Sequence, residues 1–305
     1  MSIALALPVR RRRATREVLA DYLALTKPRI IVLLEVTAFC AMVMAARGWP
    51  GLGLVLATMV GGALAAGGAN TINMWFDRDI DQTMSRTCSR PIPSGRIEPV
   101  HALLFGMGLE LASFAVLTTF ANLLAATLAL SALLFYVLVY TMWLKRTSMQ
   151  NIVIGGAAGA MPPLVGWAAV TGNLGISALF LFAIIFYWTP PHFWALALLI
   201  RRDYERAHVP MLPVVKGDRQ TRQQIGLYTV VMVAVTMLPV FTHAFGGLYL
   251  GGAAALDLLF TVYAFRTWVD LSARSASRLF HYSLLYLALL FAVAAVDRVM
   301  LPALS

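Results

Sequence analysis

Nine long apolar runs constrain this chain more than any other feature: residues 30–47, 51–74, 100–120, 122–143, 151–171, 176–200, 224–244, 247–265 and 279–297. Each is close to the roughly 20 residues a helix needs to cross a bilayer. In hydrocarbon, backbone N–H and C=O groups must be bonded within the segment, so such runs fold as helices. Only 12% of the residues are charged, against about 25% in soluble domains. The pattern predicts an all-α membrane protein, a bundle of nine transmembrane helices. No linker divides it. Residues 1–29 form a basic N-terminal segment, and 30–305 form one membrane domain.

The net charge of +10 does not mark a nucleic-acid binder. Of the 24 Lys and Arg, 22 fall on one side of the nine runs, from Arg10–Arg13 at the start to Arg266, Arg274 and Arg278 near the end. Only Arg47 and Arg298 fall on the other. The positive-inside rule puts the rich side in the cytoplasm, with the N-terminus inside and the C-terminus outside. The lipid bilayer is the expected partner, and nucleic acid is not. The apolar stretch Ile3–Val9 precedes the arginines, the reverse of a signal peptide. An Arg-rich, acid-poor start faintly resembles a mitochondrial transit peptide but is short, so a bacterial inner membrane is the expected location. Cys40 and Cys88 do not make a disulfide framework.

Two long loops share the basic side, near 75–99 and 201–223. The first holds Asn73, Asp77 and Asp81, four residues apart. On a helix such residues share one face. The stripe rises about 12 Å, which suits two ions, or one ion with partial unwinding. Oxygen ligands without Cys or His select a hard cation such as Mg2+, which binds one or two carboxylates plus substrate phosphates. Asp203, in Asp203-Tyr204-Glu205-Arg206, offers a second acidic cluster. A diphosphate leaving group also needs basic side chains, because charge builds on it as its bond breaks. Arg86, Arg90, Lys145, Arg146, Arg202 and Lys216 lie on the correct side, with Arg86 and Arg90 nearest the stripe. The second run is rich in small residues from Gly61 to Ala69, and the fifth from Gly155 to Ala160, which serves tight packing or room for a bulky ligand. His192 lies inside the sixth run beside Pro190-Pro191, about 16 Å deeper than Asp203. Glu35, Glu110 and Asp257 lie within spans, as helix contacts or cavity lining.

Several blocks carry a resemblance. Asn73-MWFDRDIDQTMSRTCSRP-Ile92 shows the pattern N-x-x-x-D-x-x-x-D-x-x-M-x-R-T-x-x-R-P. Tyr140-TMWLKRTSMQNIVIGGAAGAMPPLVG-Trp167, Trp188-TPPHFWALAL-Leu199, Asp203-YERAHVPMLPVVKG-Asp218 and Thr26-Lys27-Pro28-Arg29 complete it. The chain resembles the UbiA-type intramembrane prenyltransferase superfamily, and within it the haem-farnesylating branch. The resemblance implies a nine-helix fold and Mg2+-assisted ionisation of farnesyl diphosphate. The vinyl group of haem B would take up the farnesyl cation, and water would complete haem O. It implies Asn73, Asp77, Asp81 and Asp203 as metal and catalytic residues, His192 and His208 as haem contacts, and haem A synthase or terminal oxidase assembly as downstream partners. One departure stands out: the superfamily's second D-x-x-x-D motif is Asp203 to Ala207 here. Prenylation of a quinone precursor and multipass transport are the alternatives.

Overall fold

The structure is a computed structural model that describes residues 14–300; Arg10, Arg11, Arg12 and Arg13 lie outside the described residues. Among these residues there are no strands. Among the described residues nine helices are long and apolar enough to cross a membrane: Pro28–Ala46, Leu52–Phe76, Pro99–Phe120, Leu123–Thr147, Asn151–Thr171, Ile176–Leu199, Gly217–Phe241, Gly247–Val269 and Ala273–Met300. They are numbered here as spans 1 to 9. Large apolar side chains such as Leu111, Phe241 and Leu258 are exposed on the outer surface, as a lipid-facing wall requires. The protein is a multi-pass membrane protein.

The spans differ from the hydropathy reading mainly at their polar ends. Span 7 begins at Gly217 rather than 224. Its first turns carry Asp218, Arg219 and Arg222, which no apolar count can find. Arg222 is buried and donates to the carbonyls of Thr267, Asp270 and Leu271 at 2.5, 3.1 and 2.9 Å. It thereby satisfies orphan carbonyls at the C-terminus of span 8 and places a cation at the negative end of the helix dipole. Within the basic N-terminal segment, Thr15–Thr26 is also helical. That helix is anchored by Asp21, which accepts from Arg96 Nε at 2.9 Å.

Three irregularities shape the interior. Lys27 takes a left-handed conformation (φ 54°) between the N-terminal helix and Pro28, the first residue of span 1. Phe135–Leu144 in span 4 is π-helical, a form that is rare and concentrated at functional sites. Span 5 breaks between Gly159 and Pro162, because two successive prolines there lack backbone donors.

The small residues do both things expected of them. Gly166 of span 5 abuts span 1, where a Cβ would run into the Ala38 carbonyl oxygen. A Cβ on Gly68 would lie 2.9 Å from the Gly106 carbonyl, so spans 2 and 3 pack backbone to backbone. Gly62, Ala65, Ala66 and Ala69 instead open onto an internal cavity.

Candidate active site

Span 2 ends at Phe76, and the short helix Arg78–Thr83 follows it with Asp77 at the junction. The Asp81 N–H still donates to the Asp77 carbonyl at 2.8 Å, so the face holding Asn73, Asp77 and Asp81 continues through the junction. All three are buried, and cations meet them from other elements. Lys27 donates to the Asn73 amide oxygen at 2.8 Å. The Asn73 amide nitrogen donates to Asp77 Oδ2 at 2.8 Å and to Thr141 Oγ1 at 3.0 Å. Lys145 also donates to Asp77 Oδ2. Arg90 Nη1 reaches both Asp81 oxygens, at 2.9 and 2.7 Å. Arg146 donates to Asp79 at 2.7 Å through two nitrogens, and this pairing holds the exposed Asp79 carboxyl at about 2.

The π-helical stretch of span 4 brings Tyr136, Tyr140 and Thr141 to this end of the cavity. The two tyrosine rings stack at 5.4 Å, and Thr141 takes its bond from Asn73. The helical turns that follow carry Lys145 and Arg146 back to Asp77 and Asp79.

Asp203 reaches the first loop rather than the stripe. It accepts from the Ser85 hydroxyl at 2.8 and 3.1 Å and from the Ser85 N–H at 3.3 Å. Burial alone would push its carboxyl up, but the Ser85 bonds and nearby Arg206 leave it below the usual range. Asp203 thus ties down the segment that carries Arg86 and Arg90.

A cavity of about 610 Å³ opens beneath these groups. Asn73, Asp81, Arg86, Arg90, Lys145 and His192 line it. Asp77 lies behind Asn73 and Lys145, and Arg146 lies against Asp77 Oδ1 at 3.7 Å. Arg202, Lys216 and His208 are exposed and off the cavity wall. The sequence reading missed Lys27, Tyr136, Tyr140 and Tyr204, all of which line the cavity. Lys27 resembled one more topology charge. Its signal was the Pro28 that follows it, which starts span 1 where the lysine must turn inward. Of the intramembrane acids, Glu35 lines the cavity. Asp257 instead binds Thr236 and Tyr286, each at 2.6 Å, between helices.

The mouth of the cavity carries more positive than negative charge. Lys27, Arg29, Arg86, Arg90 and Lys145 face it, against Asp81 and the adjoining Asp77. The Arg86 guanidinium makes no hydrogen bond or ion pair with the described residues. Burial, with Arg90 and Lys145 close by, pushes the Lys27 ammonium down to about 7. An anion is what this arrangement lacks. Below the mouth the walls turn apolar and small, from Ala65, Ala66 and Ala69 to Ala129 and Gly156. A charged mouth over an apolar chamber fits a phosphorylated head with a hydrocarbon tail.

Deeper in, His192 lies stacked between Trp188 and Phe280, with ring centroids at 4.3 and 4.9 Å. The Ser283 hydroxyl donates to the Phe280 carbonyl at 2.6 Å. Its oxygen must therefore accept from His192 Nδ1–H, also at 2.6 Å, which leaves a lone pair on Nε2.

Among the described residues no three His, Cys, Asp or Glu side chains converge as a metal site. The donor set nonetheless fits Mg2+, which takes one or two carboxylates and fills its shell with water and phosphate oxygens. Asp77 Oδ1 is buried and accepts no hydrogen bond, with Arg146 Nη2 3.7 Å away, so one carboxylate oxygen of the stripe is left for a ligand.

The UbiA prenyltransferase family model matches residues 34–292. The chain belongs to the UbiA prenyltransferase family. It is 56% identical to the protoheme IX farnesyltransferase of Gloeobacter violaceus, covering 93% of each chain. It is 52% identical to that of Symbiobacterium thermophilum, over 94% of this chain and 97% of the other. With the protoheme IX farnesyltransferase of Roseiflexus sp. it shares 55% identity over 92% of its own length. It spans about half the length of that relative and of several others. Solved structures of UbiA-type proteins share the fold. A digeranylgeranylglyceryl phosphate synthase aligns with a TM-score of 0.77 at 20% identity, over 93% of this chain and all of the other. A UbiA homolog from Archaeoglobus fulgidus bound to DMAPP and Mg2+ aligns with a TM-score of 0.64 at 16% identity, over 90% of this chain and 99% of the other. The expected nine-helix family fold is thereby borne out.

Proposed function

We propose that the protein transfers the farnesyl group of farnesyl diphosphate to a vinyl group of protohaem IX (haem B) and forms haem O. The observation that carries this reading is the cavity itself. Its mouth is short of an anion and borders a buried acidic stripe, and the chamber beneath it is apolar and contains a histidine with a free ring nitrogen. The acceptor follows from the relatives, which are protoheme IX farnesyltransferases.

Lys27, Arg86, Arg90 and Lys145 bind the diphosphate and offset the charge that grows on it as the allylic C–O bond breaks. Asn73, Asp77 and Asp81 would hold Mg2+, which when bound stabilises leaving-group charge and orients the substrate. Lys145 and Arg90 now neutralise those carboxylates, and both can turn to the phosphates. Asp203 acts through Ser85, by fixing the segment that presents Arg86 and Arg90. Arg146 braces Asp77, and the exposed Arg202 and Lys216 draw the anionic head toward the mouth. The small-residue walls of spans 2 and 5 seat the isoprenoid and keep water from the allylic cation. Ser283 fixes the His192 ring, whose Nε2 would be the contact to the haem iron. His208, exposed and off the cavity, takes no part. The basic loops lie in the cytoplasm of a bacterial cell, and the spans cross its inner membrane.

The test is a choice of acceptor. Membranes containing the protein receive farnesyl diphosphate, Mg2+ and both haem B and 4-hydroxybenzoate. We expect farnesylated haem and unmodified hydroxybenzoate; the reverse outcome would reject the acceptor.

A further inference from the structure

Glu35 is a carboxylic acid inside a membrane span, and nothing so far described uses it. It lies on span 1 eight residues beyond Lys27, about 12 Å deeper at helical rise. It lines the same cavity as the diphosphate-binding cations and His192. Its Oε2 is buried without a hydrogen-bond donor, and neither oxygen has a partner among the described residues. The neighbouring helix makes room for it: a Cβ on Gly62 would lie 2.8 Å from Glu35 Oε1. The other acids near the cavity are engaged, Asp81 by Arg90 and Asp77 by Lys145 and Asn73. Glu110 also lacks partners but is not part of the cavity wall.

A lone acid in an apolar chamber is expensive to keep. It is matched when a cation forms beside it and when a water molecule needs a place to bind. The proposed reaction supplies both. The vinyl π electrons form the new C–C bond to farnesyl C1, and the C1–O electron pair leaves with diphosphate. The vinyl carbon next to the porphyrin ring is left cationic. From there the reaction ends in one of two ways. A water oxygen adds to the cation and one water proton is given up, which makes the alcohol. Otherwise the adjacent carbon loses a proton to diphosphate, which makes an alkene lighter by one water. The remaining polar groups at this depth do not choose between them. The Thr37, Thr58 and Thr189 hydroxyls are turned back onto their own helix carbonyls at 2.8 Å, and His192 Nε2 is assigned to iron.

We infer that Glu35 holds the water that adds to the porphyrin-side cation and accepts its proton, so that the product is the alcohol and not the alkene. This rests on the farnesyl-transfer reading above.

The experiment compares wild type with Glu35→Gln in membranes given haem B, farnesyl diphosphate and Mg2+, with products separated and weighed by mass spectrometry. Glu35→Gln is expected to release diphosphate and consume haem, with most of the alcohol replaced by the alkene. An unchanged alcohol fraction, whether turnover is normal or reduced, overturns the role, because a packing defect slows both endings alike. Should Glu35→Gln fail to accumulate, Glu35→Asp serves: the shorter acid is expected to give a mixture, and a wild-type product ratio overturns the inference. Failure of wild type to farnesylate haem at all would instead count against the reading on which this rests.

Discussion

Lys27 and Asn73, 46 residues apart, are joined by a 2.8 Å hydrogen bond from the lysine ammonium to the asparagine amide oxygen. That bond closes the cavity mouth between the start of span 1 and the end of span 2. It also fixes the Asn73 amide so that its nitrogen donates to Asp77 and Thr141. A left-handed turn at Lys27 and Pro28 immediately after it make the geometry possible.

Lys27→Met is therefore expected to raise the KM for farnesyl diphosphate. A hydrogen bond to a charged group contributes about 1.5–3 kcal/mol, or roughly 10- to 150-fold in affinity. Steady-state kinetics at saturating haem checks this, and an unchanged KM would remove Lys27 from the site.

Arg90 and Asp81 separate stability from catalysis. Arg90→Gln leaves a buried carboxylate unpaired and should destabilise the protein by roughly 3–5 kcal/mol. Adding Asp81→Asn removes that orphan charge and should restore much of the stability. Turnover should stay at least about 100-fold down in the double variant, since it has lost both a phosphate-binding cation and a carboxylate. Thermal unfolding in detergent and turnover, measured side by side, check the split. Recovery of activity along with stability would make the pair purely structural.

Ser85→Ala tests the tie between the two long basic loops. It removes the hydroxyl that Asp203 accepts from, at a cost of about 1–3 kcal/mol if the acid stays buried. The segment with Arg86 and Arg90 should loosen. Faster proteolysis between residues 84 and 97 and a higher KM for the diphosphate are the expected signs. Wild-type values for both would mean that Asp203 acts elsewhere.

Gly166→Ala sets a gain against a clash. Alanine is favoured over glycine in a helix by up to about 1 kcal/mol. The new Cβ would run into the Ala38 backbone carbonyl, and overpacking costs about 1–3 kcal/mol. The clash should win and lower the melting temperature, with product identity unchanged.

The spans were legible because burial in lipid is written in composition, residue by residue. Asn73, Asp77 and Asp81 were legible because four-residue spacing fixes a shared helical face. What composition could not show is direction. Lys27 and Lys216 are both basic residues beside a span, yet one turns into the cavity and the other into solvent. Glu35, Glu110 and Asp257 are all single acids in apolar runs, and only helix rotation distinguishes the one that lines the cavity. The π-helical stretch of span 4 has the same apolar pattern as its α-helical neighbour. Its effect on Tyr136, Thr141 and Lys145 appears only in three dimensions. The polar starts of spans 7 and 9 escaped because Arg222, like Ser275, is buried by capping carbonyls and not by hydrophobicity.

The most direct measurement is the mass of haem extracted from membranes containing this protein after incubation with haem B, farnesyl diphosphate and Mg2+, with Asp77→Asn and chelator-treated samples in parallel. The account predicts that wild type adds one farnesyl group and one water to haem B, and that both parallel samples return haem B unchanged. Unmodified haem from active wild-type membranes, or full conversion by Asp77→Asn, would contradict it.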